Sequence, residues 1–146
     1  MFIQKIIEDS AVKIISSSLV SGSVTGWEIH KGVENNSINF PCVKVICSTF
    51  SLLYPELGLG VGKAELSLIS CGIKPNQQGI GITAATFQSV SDIIFNPFLA
   101  NNVATSMSIS GSISVSQVID GGLEVTSLDD GWIATQKLQV VAGRLS

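Results

Sequence analysis

The chain has 146 residues, a length that fits one domain. Only 13% of the residues are charged, against about 25% in typical globular chains, and the net charge is −3. Because Lys and Arg are few and scattered, we do not expect tight nucleic-acid binding. So little charge favours a surface buried against other subunits. A monomer with a surface rich in Ser, Gly and Asn is the alternative.

The first predicted element is an amphipathic helix over residues 2–20. Ile3, Ile7, Ala11 and Ile14 recur at helical spacing, and the polar and charged residues of 4–13 lie on the other side. The polar, glycine-containing segment that follows is compatible with a short hairpin around Trp27.

Two strands are predicted next, at about 43–50 and 63–71, because apolar and polar residues alternate in both. The connection between them, residues 51–62, is unusually apolar for a loop. Two interpretations of this segment stay open: it folds back onto the core, or it contacts a neighbouring molecule.

A second helix is predicted over about residues 84–96, with Thr83 as its N-cap. Phe87, Val90 and Ile94 form its buried stripe. The helix and the preceding strands indicate a mixed α and β domain.

The last third of the chain predicts three strands. Strict alternation of serine with apolar residues indicates a long central strand at 107–119, with an irregularity near Gln117. Asp120 and the two glycines after it predict a hairpin turn. Strands at 123–128 and 132–142 follow, joined by a turn at Asp129 and Asp130.

Together these elements predict a single α+β domain over residues 1–146. We expect an antiparallel, strongly twisted sheet of about five strands, with the two main helices packed on one face.

The three cysteines are Cys42, Cys47 and Cys71. Cys42 and Cys47 are five positions apart, so a regular strand points them to opposite faces. An odd number of cysteines favours buried free thiols over a disulfide framework.

Charges interrupt the N-terminal segment, which argues against a secretory signal, and the uncharged run 93–119 is too polar to span a membrane. We expect a soluble protein in a reducing compartment.

Searches for catalytic motifs fail. The glycines at 58–62 lack the spacing of a phosphate-binding loop, and Ala64 stands where that motif needs Ser or Thr. His30 is the only histidine and is expected in a solvated loop without a catalytic partner, and no zinc spacing exists. Asp129 and Asp130 fit a turn better than a carboxylate pair. We predict no enzyme activity and no catalytic, cofactor-binding or metal-binding residue.

The order of these features resembles the tail terminator (tail-to-head joining) proteins of long-tailed bacteriophages. Their pattern is an amphipathic helix, a Phe-Pro pair that opens a strand, as at Phe40 and Pro41, and a variable loop before a strand like 63–68. A helix follows, and then a closing hairpin entered through acidic residues, as at 129–132.

The resemblance implies a structural virion protein of the tail or neck, assembled in the host cytoplasm. It would form a homo-oligomeric ring, a hexamer in that family, which caps the tail tube, ends tube polymerisation and joins the tail to the head connector. Its partners would be itself, the tail tube protein and a connector or neck protein, with DNA passing through without specific binding. The alternatives are another neck or tail-tube component, or a small-ligand-binding α+β domain.

Two sets of residues are candidates for these roles. The apolar loop and the polar side of the serine strand supply candidate subunit contacts, although a glycan- or ice-binding face is another interpretation of the serines. These contact residues are Leu53, Tyr54, Leu57, Leu59, Ser110, Ser112 and Ser114. Acidic residues that would line the channel and repel DNA are Asp120, Glu124, Asp129 and Asp130.

Overall fold

The computed structural model describes residues 3–32, 41–48, 50–53, 60–76, 79, 81–100, 103, 107 and 113–144. These residues form an α+β fold with two helices and six strands. In chain order the elements are α1 (Ile3–Ser21), β1 (Glu28–Lys31), β2 (Cys42–Cys47), β3 (Ser51–Leu52), β4 (Val61–Ile73), α2 (Ala84–Leu99), β5 (Ile113–Ser127) and β6 (Gly131–Arg144).

The strands form one sheet in the order β1-β2-β4-β6-β5, and β3 pairs with the beginning of β4. Every pairing is antiparallel except that of β1 with β2, which is parallel. The predicted sheet of about five antiparallel strands is therefore corrected to six strands of mixed direction within the described residues. The hairpin expected near Trp27 is also wrong, because β1 pairs in parallel with β2. A strand of four residues is too short for its sequence pattern to indicate its partner.

Both helices pack against one face of the sheet, as predicted. The inward side chains of β2, β4 and β6 join the apolar stripes of α1 and α2 in one core. We call this side the helix-covered face and the other side the open face. The inward residues of the three central strands are Val43, Val45, Cys47, Ala64, Leu66, Leu68, Ala134, Leu138, Val140 and Ala142.

Helix α1 confirms the predicted helix at 2–20. It buries an apolar stripe that includes Ile7, Ala11 and Ile15. Two polar side chains of α1 fix it to its neighbours: the Ser10 hydroxyl donates to the Met107 carbonyl at 3.1 Å, and the Glu8 carboxylate accepts from a β2 backbone N–H at 2.8 Å.

Helix α2 begins at the predicted N-cap. The Thr83 side chain accepts a hydrogen bond from the Thr86 N–H at 3.3 Å. The helix continues past the predicted end at residue 96 and contains Pro97 in its last turn. A proline there removes one helical hydrogen bond, and burial of Phe98 in the core holds the final turn in place.

The long strand predicted at 107–119 is partly wrong. Val103 and Met107 are helical and buried, and β5 begins only at Ile113. Both side chains belong to the core, and the alternation of serine with apolar residues does not distinguish such helical positions from strand positions. Residues 108–112 of the predicted strand lie outside the described residues.

The hairpin turn predicted at Asp120 is also wrong. Strand β5 runs straight through this point, and its register against β6 shifts between Asp120 and Gly122 as a bulge. Gly122 has a φ of +114°, a conformation that glycine adopts without a Cβ clash. The same residue types serve turns and bulges, and β6 is long enough to pair along the whole of β5.

The irregularity predicted near Gln117 and the turn at Asp129 and Asp130 are confirmed.

Candidate assembly surfaces

The end of the β5–β6 hairpin projects beyond the helices. Every residue from 119 to 130, here called the β5 arm, is exposed. Four of them are large and apolar, with Leu123 56% and Val125 65% exposed. Leu123 and Val125 share one face of the strand, and neighbouring exposed apolar side chains of this kind mark an interaction surface. The other two are Ile119 and Leu128.

Leu123 and Val125 lie on the helix-covered face, because they pair with the inward-facing positions Gln136 and Ala134 of β6. Helix α2 lies over β4 and β6 and leaves these two residues of β5 exposed. An open cleft of about 250 Å³ separates α2 from the two side chains, and Phe95 and Trp132 are among its walls. The apolar surface therefore continues from the arm into the cleft.

The backbone of the arm is also open to a partner. The Leu128 N–H donates to the Gly131 carbonyl at 2.9 Å, so these residues form a hydrogen-bonded pair. Such pairs alternate along antiparallel strands, and Leu123 and Val125 therefore direct their N–H and C=O groups away from β6. In the described part of the chain Leu123 and Val125 have no strand partner other than β6, so the edge of the arm can bind a further strand.

A second apolar surface lies at both ends of the 51–62 connection. Leu52 is 49% exposed, and Leu53 and Val61 are exposed as well. The Leu53 N–H donates to the Val61 carbonyl at 3.0 Å, which brings the two ends together. We call these three residues the loop base. Their exposure favours the contact interpretation of the segment over the core interpretation. Tyr54 and the two leucines after it, Leu57 and Leu59, lie outside the described residues.

The serine row is only partly described. Ser114 is exposed near the beginning of β5, whereas Ser110 and Ser112 lie outside the described residues. Ser116 is the extra residue of the first bulge, and its hydroxyl donates to the Val141 carbonyl at 3.1 Å. That hydroxyl therefore serves a local structural bond.

The four acidic candidates are all exposed, but they do not form one row. Asp120 pairs with the inward position Leu138 and lies on the helix-covered face, where its carboxylate accepts from the Gln136 side chain at 2.6 Å. Glu124 is on the open face, and Asp129 and Asp130 lie at the hairpin tip. Negative charge therefore surrounds the β5 arm on several sides.

The remaining polar groups give little basis for chemistry. His30 lies in β1 rather than in the expected loop, and its Nε2 is 3.2 Å from the Glu28 carboxylate. No group of three potential metal ligands comes together among the described residues. The three cysteines are free and buried, as predicted, with Cys47 in the core and Cys42 on the open face.

Sequence reasoning missed the exposed apolar residues of the β5 arm as a site. Leu123 and Val125 were expected only as part of a return strand. The available signal was their position between Asp120 and Asp129, where apolar alternation continues inside an acidic stretch that has no basic residue.

A comparison with protein-family profiles finds no match, and a comparison with curated protein sequences finds none either. Within the described ranges, no helix combines the length with the apolar character that crossing a membrane requires.

Proposed function

We propose that this protein is a structural virion subunit that assembles head-to-tail into a ring. The ring caps a phage tail tube, ends tube polymerisation and joins the tail to the head connector. The β5 arm is the observation that carries the assembly part of this proposal, because it combines exposed apolar side chains with an open strand edge. The inference that this assembly is a ring on a phage tail tube comes from the resemblance of the element order to tail terminator proteins.

A ring of identical subunits needs two different patches on each subunit. The β5 arm and the loop base meet this requirement. Leu52 pairs with Gly62, whereas Leu123 lies across β6 from Leu68. The two patches are thus separated by six residues along β4, or about 20 Å, and also lie on different strands of the sheet.

The charge distribution supports a role beside DNA without DNA binding. No Lys or Arg occurs between Lys74 and Lys137, and the acidic residues of that stretch include Glu124 and Asp130. Like charge lining a channel keeps a passing polyanion from adhering. In this proposal the acidic hairpin tip faces the channel. The contacts with the tube protein and the connector then do not depend on basic residues of this region.

Electron microscopy of negatively stained protein tests the ring, and light scattering tests the mass. We expect closed rings with a central channel, and a mass that falls on dilution. Leu123→Asp abolishes the ring without changing the circular dichroism spectrum, because it puts a charge into the subunit contact. Val20→Asp is the matched control, since Val20 is also apolar and exposed but lies at the end of α1. A strict monomer at high concentration overturns the proposal.

A mixing experiment separates a head-to-tail contact from a symmetric one. Leu123→Asp retains the loop base, and Leu52→Asp retains the β5 arm. In a head-to-tail assembly each variant alone is monomeric, and an equal mixture forms dimers that contain one copy of each. In a symmetric dimer built on β5, Leu52→Asp assembles normally and the mixture gains nothing.

The role on the tube requires a functional assay. Purified protein added to a polymerising tail tube protein of the same phage is expected to shorten the tubes and to appear at one tube end. Rings that bind along the tube, or that join growing tubes without stopping them, would instead assign the protein to another neck or tube position.

Saturable binding of a small molecule by a monomer, in the cleft beside α2, would favour the ligand-binding alternative.

A further inference from the structure

Two of the three cysteines are neighbours across adjacent strands. Cys42 of β2 lies directly opposite Cys71 of β4, and both are free and buried. The two thiols interact closely enough that each shifts the pKa of the other. Cys47 points to the opposite face, into the core. The chain therefore contains one dithiol pair and one isolated thiol, which serves as an internal control.

Only one sulfur of the pair is positioned to meet a small molecule. Cys71 lines a cavity of about 310 Å³ beside the end of β4, together with Lys44, Trp132 and Ile133. Cys42 is fully buried and is not among the residues that line this cavity. A reagent that enters the cavity therefore reaches Cys71 first, and Cys42 lies beside Cys71 on the adjacent strand.

The electrostatic surroundings agree with this order. The hydrogen bond from Cys42 lowers the pKa of Cys71 to about 7, and the nearby Lys44 charge acts in the same direction against the effect of burial. The same hydrogen bond, together with burial, raises the pKa of Cys42 above its ordinary value. Since the thiolate is the nucleophile, Cys71 reacts and Cys42 is held in reserve as a protonated thiol.

The strand register permits a bond between the two sulfurs. The Ser48 N–H donates to the Glu65 carbonyl at 2.8 Å, so every second residue along β2, including Cys42, belongs to a hydrogen-bonded pair. The Cα atoms in such pairs are about 5.5 Å apart, within the range that disulfides span. Side chains in these pairs diverge more than in the other pair type, so the bond would be strained and readily reduced.

We propose that Cys42 and Cys71 form a reversible thiol–disulfide site that reacts with low-molecular-weight disulfides. The Cys71 thiolate attacks one sulfur of the small disulfide, forming a mixed disulfide and releasing one thiolate. Cys42 then loses its proton to solvent and attacks the Cys71 sulfur, which releases the second thiolate. The protein loses two electrons and two protons, and the small disulfide is reduced to two thiols. This site does not depend on the proposed virion role.

The test exposes the folded, reduced protein to bis(2-hydroxyethyl) disulfide, followed by alkylation in denaturant and mass spectrometry. We expect the number of alkylated thiols to fall from three to one, and peptide mapping to find a Cys42–Cys71 link. Added dithiothreitol restores all three. The mapping uses the wild-type chain, so the test does not depend on a variant that folds.

Variants then establish the order of attack. Cys42→Ser accumulates a stable mixed disulfide on Cys71, whereas Cys71→Ser stays unmodified. Cys47→Ser, the matched control, forms the Cys42–Cys71 link at the wild-type rate. The proposal is overturned if the folded wild type keeps three free thiols and forms the link only after denaturation in urea, or if Cys71→Ser is modified as fast as the wild type.

Discussion

The side-chain amide of Gln136 donates a hydrogen bond of 2.6 Å to the carboxylate of Asp120 across the second bulge of β5. The same carboxylate oxygen accepts the Gly122 N–H at 2.8 Å. Gln136 is only 2% exposed, so its polar group needs partners inside the protein. Asp120 therefore fixes the bulge from which the β5 arm projects, which is a structural role in addition to its candidate place near a channel.

Asp120→Ala is expected to destabilise the fold by about 1 kcal/mol, since Gln136 loses its charged acceptor while the Gly122 and Lys137 carbonyls remain within its reach. Urea unfolding followed by circular dichroism measures the change. Glu124→Ala is the matched control, as Glu124 is an exposed carboxylate on the same strand, and we expect a change within about 0.5 kcal/mol. Equal effects of the two substitutions would contradict this role of Asp120.

The hydroxyls of Ser70 in β4 and Ser91 in α2 are 2.9 Å apart and buried. Either single change to alanine removes one partner and leaves the other hydroxyl without it, at an expected cost of about 1–3 kcal/mol. The double substitution removes both polar groups and is expected to cost less than the sum of the two. A double-mutant cycle by urea unfolding measures this coupling. Strict additivity would show that the two hydroxyls do not depend on each other.

Thr83 begins α2 through a side-chain hydrogen bond to the Thr86 N–H. Thr83→Ala is expected to cost about 1 kcal/mol, because one N–H of the first turn loses its acceptor. Thr83→Ser retains the hydroxyl and is the control that is expected to keep most of the stability. Thermal unfolding compares the two variants. A loss equal in both would assign the effect to the missing methyl group instead of the cap.

The sequence predicted the parts of the fold that periodicity and local chemistry encode. The stripe of α1, the Thr83 cap and the inward alternation of β2, β4 and β6 all follow from spacing and residue type. What it missed depends on partners distant in the chain. Met107 is helical because it packs against α1, and the glycines after Asp120 form a bulge because β6 continues beside them.

The candidate surfaces show the same limit. The 51–62 segment was recognised as a candidate surface because a loop rich in apolar residues is unusual. Its described ends are exposed. Leu123 and Val125 look like ordinary strand residues in sequence. Their exposure arises because α2 lies over β6 and an open cleft separates it from this part of β5. Which strand lies at the sheet edge is a property of topology, and no local pattern in this chain encodes it.

The pH dependence of thiol labelling gives a direct reading of the Cys42–Cys71 pair. The Cys42 hydrogen bond lowers the pKa of Cys71 to about 7, so the reactive thiolate of Cys71 increases as the pH rises through that value. We expect the iodoacetamide labelling rate of Cys71 to rise with a midpoint near 7. Burial raises the pKa of Cys47 to about 12, so that thiol stays unlabelled in the folded protein over the same range.

Substitution of the nearby lysine tests the cause of this shift. Lys44→Gln removes the positive charge that favours the thiolate, and the labelling midpoint of Cys71 is expected to move to higher pH. Lys63→Gln is the control, because Lys63 lies near the other end of β4 and is not among the groups that shift Cys71. A midpoint that stays at the ordinary thiol value in the wild type would mean that the paired sulfur and Lys44 do not activate Cys71.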